Sequence, residues 1–119
     1  MAEYQPGPSA FERVLAQQRE KYLASLPQRL NDVELHWRAV RSGRETVETL
    51  RELFRLVHNL AGSGATFGIP QISDSAKPLK DRLRAIADAG SWPEDLKPEE
   101  LEPLLQELRE AIGAALVPV

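Results

Sequence analysis

The sequence predicts an all-α protein: an antiparallel four-helix bundle with an extra or kinked N-terminal helix. Three observations carry this. Apolar residues recur at steps of three and four in several separate segments. No stretch alternates apolar and polar residues with the period of a strand. Glycines and prolines fall between the periodic segments, where helices stop and start.

Residues 1–8 contain Pro6, Gly7 and Pro8 and are expected to form a flexible arm ahead of a single domain over residues 9–119. Ser9 is a candidate cap for a helix beginning near Ala10, which carries Phe11, Val14, Leu15, Tyr22 and Leu23. Pro27 removes a backbone donor and predicts a kink or short break near Ser25. Leu26, Leu30, Val33, Trp37 and Val40 continue as one apolar stripe, and Gly43 ends it.

A second long helix is expected from Glu45 or Thr46, with Val47, Leu50, Leu53, Phe54, Val57, Leu60 and Ala61 on one face. The small-residue run Gly62-Ser63-Gly64-Ala65-Thr66 follows, then Phe67 and a glycine stop at Gly68. Pro70 suits the first turn of the next helix, whose apolar face is Ile72, Ala76, Leu79, Leu83, Ile86 and Ala87. Pro78 is expected to disturb that helix locally, and Gly90 to close it. After a loop at residues 91–95, Pro98 opens the last helix, with Leu101, Leu104, Leu105, Leu108 and Ile112 inward. Pro103 is early enough in it to be tolerated.

The bulk properties narrow the function. At 119 residues the chain is a natural length for one domain, able to bury a core without staples. It has no cysteine, so disulfides and thiolate metal sites are excluded and a reducing, cytoplasmic setting is expected. No apolar run approaches the roughly 20 residues that span a bilayer, and no signal core is apparent, so no membrane partner is expected. A net charge of −3 argues against nucleic-acid binding. With two histidines and no cysteine, the common zinc ligand sets are missing, and neither a metal nor a cofactor is expected. No phosphate-binding glycine loop, nucleophile elbow or zinc-protease motif occurs.

The chemistry rests on one side chain. On a helix with 100° per residue, His58 falls roughly 90° from the centre of the apolar face formed by Leu50 and Val57. Its base is packed while its imidazole faces solvent, with Arg51, Phe54, Arg55, Ala61 and Gly62 as helical neighbours. The small residues that follow let another protein's backbone approach. A neutral imidazole offers a free nitrogen that attacks an activated phosphoryl group, and such a carrier needs reach and positioning more than a catalytic pocket. Spacing alone equally describes an ordinary border histidine. His36, beside Trp37, has nothing to lift it above that description and is read as structural or solvent-facing.

Residues 53–68, and within them His58-Asn59-Leu60-Ala61-Gly62-Ser63 followed by small residues and Gly68, resemble the signature of histidine-containing phosphotransfer (HPt) domains, whose pattern is close to His-x-Leu-Lys-Gly-Ser. The resemblance is sharp over some 30 residues and architectural beyond them. It implies a helical bundle whose exposed histidine takes a phosphoryl group from a receiver-domain aspartate or a kinase and hands it to another receiver. On that footing His58 is the phosphorylated residue, Gly62 gives the partner close access and Gly68 lets the hairpin turn tightly. The implied partners are response-regulator receiver domains and a hybrid sensor histidine kinase, and the protein would act as a monomeric carrier without autonomous catalysis. The magnesium such transfers use would belong to the receiver.

Two positions depart from the family pattern. Ala61 stands where most members have lysine. Lys80 stands where many have Glu or Gln on the facing helix. Lys77 and Arg84 lie on the same side as Lys80, and with Arg51 and Arg55 they are candidates to surround a phosphohistidine with positive charge, Lys80 replacing the missing lysine. The plain reading of any one of these cations is a solvated edge. A receiver-docking module without transfer shares the fold and is supported by both departures. A helical scaffold explains the periodicity but not the glycines, each of which costs up to about 1 kcal/mol inside a helix.

Overall fold

The computed structural model describes residues 7–118. Among them are four α-helices and no strand: α1 (Ala10–Arg41), α2 (Val47–Thr66), α3 (Pro70–Ala89) and α4 (Glu102–Leu116), with a 3₁₀ turn at Pro98–Glu100. Each helix packs against the next and α4 closes back on α1. The short connections 42–46 and 67–69 make the joined helices antiparallel neighbours. The first six residues of the expected N-terminal arm lie outside the described residues; Gly7 and Pro8 are irregular and exposed.

The helix ends follow the expected chemistry. The Ser9 side chain accepts from the Glu12 N–H at 3.1 Å. Thr46 caps α2, accepting from the Thr49 N–H at 3.1 Å while Thr49 Oγ1 accepts from the Thr46 N–H. Gly43, Gly68 and Gly90 have φ of 67°, 80° and 76°, the left-handed conformation that ends a helix without a Cβ penalty. At Gly43 and Gly68 the full Schellman pairing forms: Arg44 N–H to Ala39 O and Gly43 N–H to Val40 O, then Ile69 N–H to Gly64 O and Gly68 N–H to Ala65 O.

Neither internal proline breaks its helix. α1 runs unbroken through Pro27, and α3 through Pro78. Both rings sit on the exposed side. The lost backbone bond is therefore on the solvent side, while Leu26 and Val33, or Ala76 and Leu79, hold the opposite side in the core. The last helix is the other correction. Pro98 opens the 3₁₀ turn, and α4 proper begins at Glu102, with Pro103 in its first turn, where no backbone donor is needed.

The core comprises the predicted stripes: Tyr22, Leu26, Val33, Trp37 and Val40 from α1, Leu50 to Ala61 from α2, Ile72 to Ile86 from α3, and Leu101, Leu105, Leu108 and Ile112. Two apolar segments stay outside it. Val47, at the first residue of α2, is exposed, and so are Phe11, Val14 and Leu15 near the start of α1.

A polar tie joins α1 to α4. The Trp37 indole N–H donates to Glu102 at 2.7 Å, and Arg109 bridges Glu102 (2.6 Å) and Glu34 (2.9 Å). The hydrogen bond from Arg109, opposed by partial burial and reinforced by Trp37, holds the Glu102 carboxyl below its ordinary pKa.

Candidate functional site

A close approach of α2 and α3 at Gly64 fixes the candidate site. Gly64 lies in the last turn of α2, on its core side. A Cβ there would lie 2.8 Å from Ser73 N, 2.9 Å from Ile69 O and 2.9 Å from Ile72 Cβ. Only glycine fits. The buried Ser73 completes the seam, its Oγ accepting from the Ala65 N–H at 2.7 Å.

This seam sets the register along both helices. His58 is six residues back from Gly64, and Leu79 and Lys80 are six and seven on from Ser73. At about 1.5 Å per residue these positions are level. Phe54 and Arg84 meet a turn further along, with the guanidinium 5.5 Å from the ring centroid. The His58 ring is exposed and lies against Phe54, centroids 5.5 Å apart and planes inclined by 37°. Phe54 is thus a shared floor for the imidazole and one cation.

The other predicted residues divide into two groups. Lys80 is level with His58 and its side chain is 20% exposed, with Nζ 3.5 Å from Asp81 Oδ1. Lys77 is exposed one turn nearer the seam. Arg51 and Arg55 are exposed on α2, and each is engaged by a carboxylate of that helix. Arg51 pairs with Glu48 at 3.8 Å, and Arg55 makes a two-point ion pair with Glu52. That pair draws the Glu52 carboxyl below its ordinary pKa and raises the guanidinium's. Lys77 and Arg84 of α3 form no ion pair among the described residues.

Ala61 is only 7% exposed and belongs to the core, so little of it faces a partner. A longer side chain there has to leave along the α2–α3 seam. Gly62 is exposed, with nothing within 4 Å of where a Cβ would stand. Nothing among the described residues requires glycine at that position. Gly64, which sequence reasoning did not single out, carries the steric constraint; its place on the stripe of Leu53, Val57 and Leu60 was the available signal. Helical spacing alone presents Phe54 as an apolar neighbour of His58, and the structure makes it a support for the ring.

His36 is half-buried on α1, with Nδ1 2.8 Å from the Asp32 carbonyl oxygen. A carbonyl only accepts, so Nδ1 carries the proton and the ring is tied to its own helix. Among the described residues no group of three or more His, Asp or Glu side chains is arranged to hold a metal, and no helix is long and apolar enough to cross a membrane.

The arrangement presents one exposed imidazole on a helix, floored by an aromatic ring, level with Lys80 of α3 and bordered by a glycine that leaves its surface open. The ring stands open on the surface of α2. The family model described as "Hpt domain" matches residues 17–115. No curated protein and no solved structure matches the chain.

Proposed function

Since this chain belongs to the Hpt domain family over residues 17–115, we propose that it is a phosphorelay carrier that holds a phosphoryl group on His58. An unprotonated ring nitrogen attacks the phosphorus of an aspartyl phosphate on a receiver domain. The P–N bond forms as the P–O bond to the aspartate breaks, and the aspartate leaves as a free carboxylate. Transfer onward is the reverse reaction with a second receiver's aspartate. The observation that carries this reading is the exposed His58 ring seated on Phe54, level with Lys80.

The roles of the neighbours follow from charge and space. Lys80 and Arg84 supply positive charge to phosphoryl oxygens, in place of the lysine usual at the position of Ala61. Lys77 extends this edge. Arg51 and Arg55 shape the partner's approach, because their charge is already matched by Glu48 and Glu52. Gly62 leaves room for the receiver's backbone. A sensor histidine kinase and receiver domains are the partner class.

The test is incubation with a phosphorylated receiver. Acid-labile, alkali-stable label is expected on the wild-type chain and not on His58→Gln. A stable complex that never transfers label would instead identify a docking module, the reading favoured by the alanine at position 61.

A further inference from the structure

Helix α1 outruns the bundle. Counted from its start, Tyr22 is its first buried residue, stacked on Phe67 at 4.7 Å with its hydroxyl 2.8 Å from Ser63 Oγ. All of residues 10–21 are exposed. Yet the core-facing stripe of Trp37, Val33, Leu26 and Tyr22 does not stop there. Steps of three and four continue it through Gln18, Leu15 and Phe11, with Val14 beside them. Phe11 is 71% exposed, and Val14 and Leu15 about half. Three turns of helix thus carry a core pattern that no described part of the chain covers.

We propose that a second copy of this chain covers it, the two overhangs pairing antiparallel about a twofold axis between Leu15 and Ala16. In such a pair, side chains on one flank of the seam meet the same flank of the other copy. Glu12 and Arg19 lie seven residues apart on one flank, and neither forms an ion pair among the described residues. Pairing about this axis sets Glu12 of each copy opposite Arg19 of the other. Arg13 and Glu20 lie on the outer side of the helix, away from the seam, so the charges that meet on this flank are Glu12 and Arg19, and they are opposite in sign.

The lengths also agree. The second copy's Phe11 comes level with Glu20, over the hollow lined by Leu15, Gln18, Arg19, Phe67 and Gly68. Its helix starts where the α2–α3 turn of the first copy begins. None of these residues is near His58, so pairing leaves the imidazole open and stands independently of the phosphotransfer reading. It departs from the monomer expected from the sequence, because the apolar residues at the start of α1 are exposed.

Sedimentation velocity on the full chain across a concentration series tests this. A reversible dimer is expected, weakened roughly tenfold by Glu12→Arg or by Arg19→Glu and restored to near the wild-type constant by both together. Circular dichroism establishes that each variant is folded. A monomer at every concentration up to about 1 mM, the weak end of specific association, would overturn the proposal. A dimer indifferent to both single reversals, or not restored by the double, would also overturn it. A monomer whose residues 10–20 are protected from amide exchange would overturn it too, in favour of cover by the chain's own N-terminal residues.

Discussion

The aromatic ring of Phe54 lies 5.5 Å from the imidazole of His58, one helical turn away, and carries the Arg84 guanidinium at the same centroid distance. One half-buried side chain thus restrains both the proposed phosphoryl acceptor and a cation from the facing helix.

Replacing Phe54 with alanine is expected to slow phosphotransfer several-fold while leaving His58 reactive, because the ring then samples more rotamers. Stability should fall by about 2 kcal/mol, less than for a fully buried phenylalanine. Phe54→Leu should recover most of the stability and only part of the rate. Stopped transfer time courses and urea unfolding measure the two effects; an unaltered rate in Phe54→Ala would show that the ring does not position His58.

The two glycines inside α2 are expected to respond in opposite ways. Gly64→Ala meets backbone atoms of Ile69 and Ser73 at 2.8–2.9 Å and should destabilise by roughly 1–3 kcal/mol. Gly62→Ala meets nothing and should stabilise the helix by about 0.5–1 kcal/mol. If Gly62 serves the partner's approach, that more stable variant transfers more slowly. Chemical denaturation of both variants, beside their transfer rates, separates fold from function.

Among the cations, Lys80→Ala and Arg84→Ala are each expected to reduce the transfer rate about tenfold, the scale of one charge-assisted hydrogen bond. Arg55→Ala should have a smaller effect, since Glu52 already holds its guanidinium. Single-turnover kinetics with a fixed receiver rank the three; equal rates for wild type and Lys80→Ala would remove Lys80 from the mechanism.

Acid should loosen the bundle through the α1–α4 tie. The Glu102 carboxyl titrates below its ordinary value near 4.5 when folded, chiefly because of Arg109. Its contribution to stability is present in full above that ordinary value and is lost as the pH falls through the lower folded value. Thermal melting from pH 7 to pH 3 should therefore drop most steeply below about 4.5. Glu102→Gln should flatten that drop and be less stable at neutral pH. A variant with an acid limb as steep as wild type would place the sensitivity elsewhere.

Much of this architecture was legible because it is written locally. The glycines at 43, 68 and 90 mark left-handed stops, Ser9 caps a helix, and the apolar steps through Leu50–Leu60 and Ile72–Ile86 assign the core faces. What escaped depended on the other side of each contact. Pro27 and Pro78 predict disturbance by their own chemistry, but burial of the opposite faces carries α1 and α3 through them. Phe11, Val14 and Leu15 have core spacing, and periodicity does not reveal that α1 extends past its neighbours. Gly64 resembles Gly62 in sequence; only the backbone of α3 distinguishes a glycine that must be there from one that leaves space. The exposed position of His58 was legible from its angle to the apolar face of α2. The pairing of Arg51 and Arg55 with Glu48 and Glu52 is intrahelical, three residues apart, and was readable from the spacing along α2 alone.

The central claim is that the imidazole of His58 carries the phosphoryl group. Peptide mapping by tandem mass spectrometry, kept at alkaline pH after transfer from a phosphorylated receiver, tests it most directly. The account predicts a single phosphorylated site at His58, with no label on His36 and none on the His58→Gln chain. Phosphate on any other residue, or undiminished labelling of His58→Gln, would contradict it.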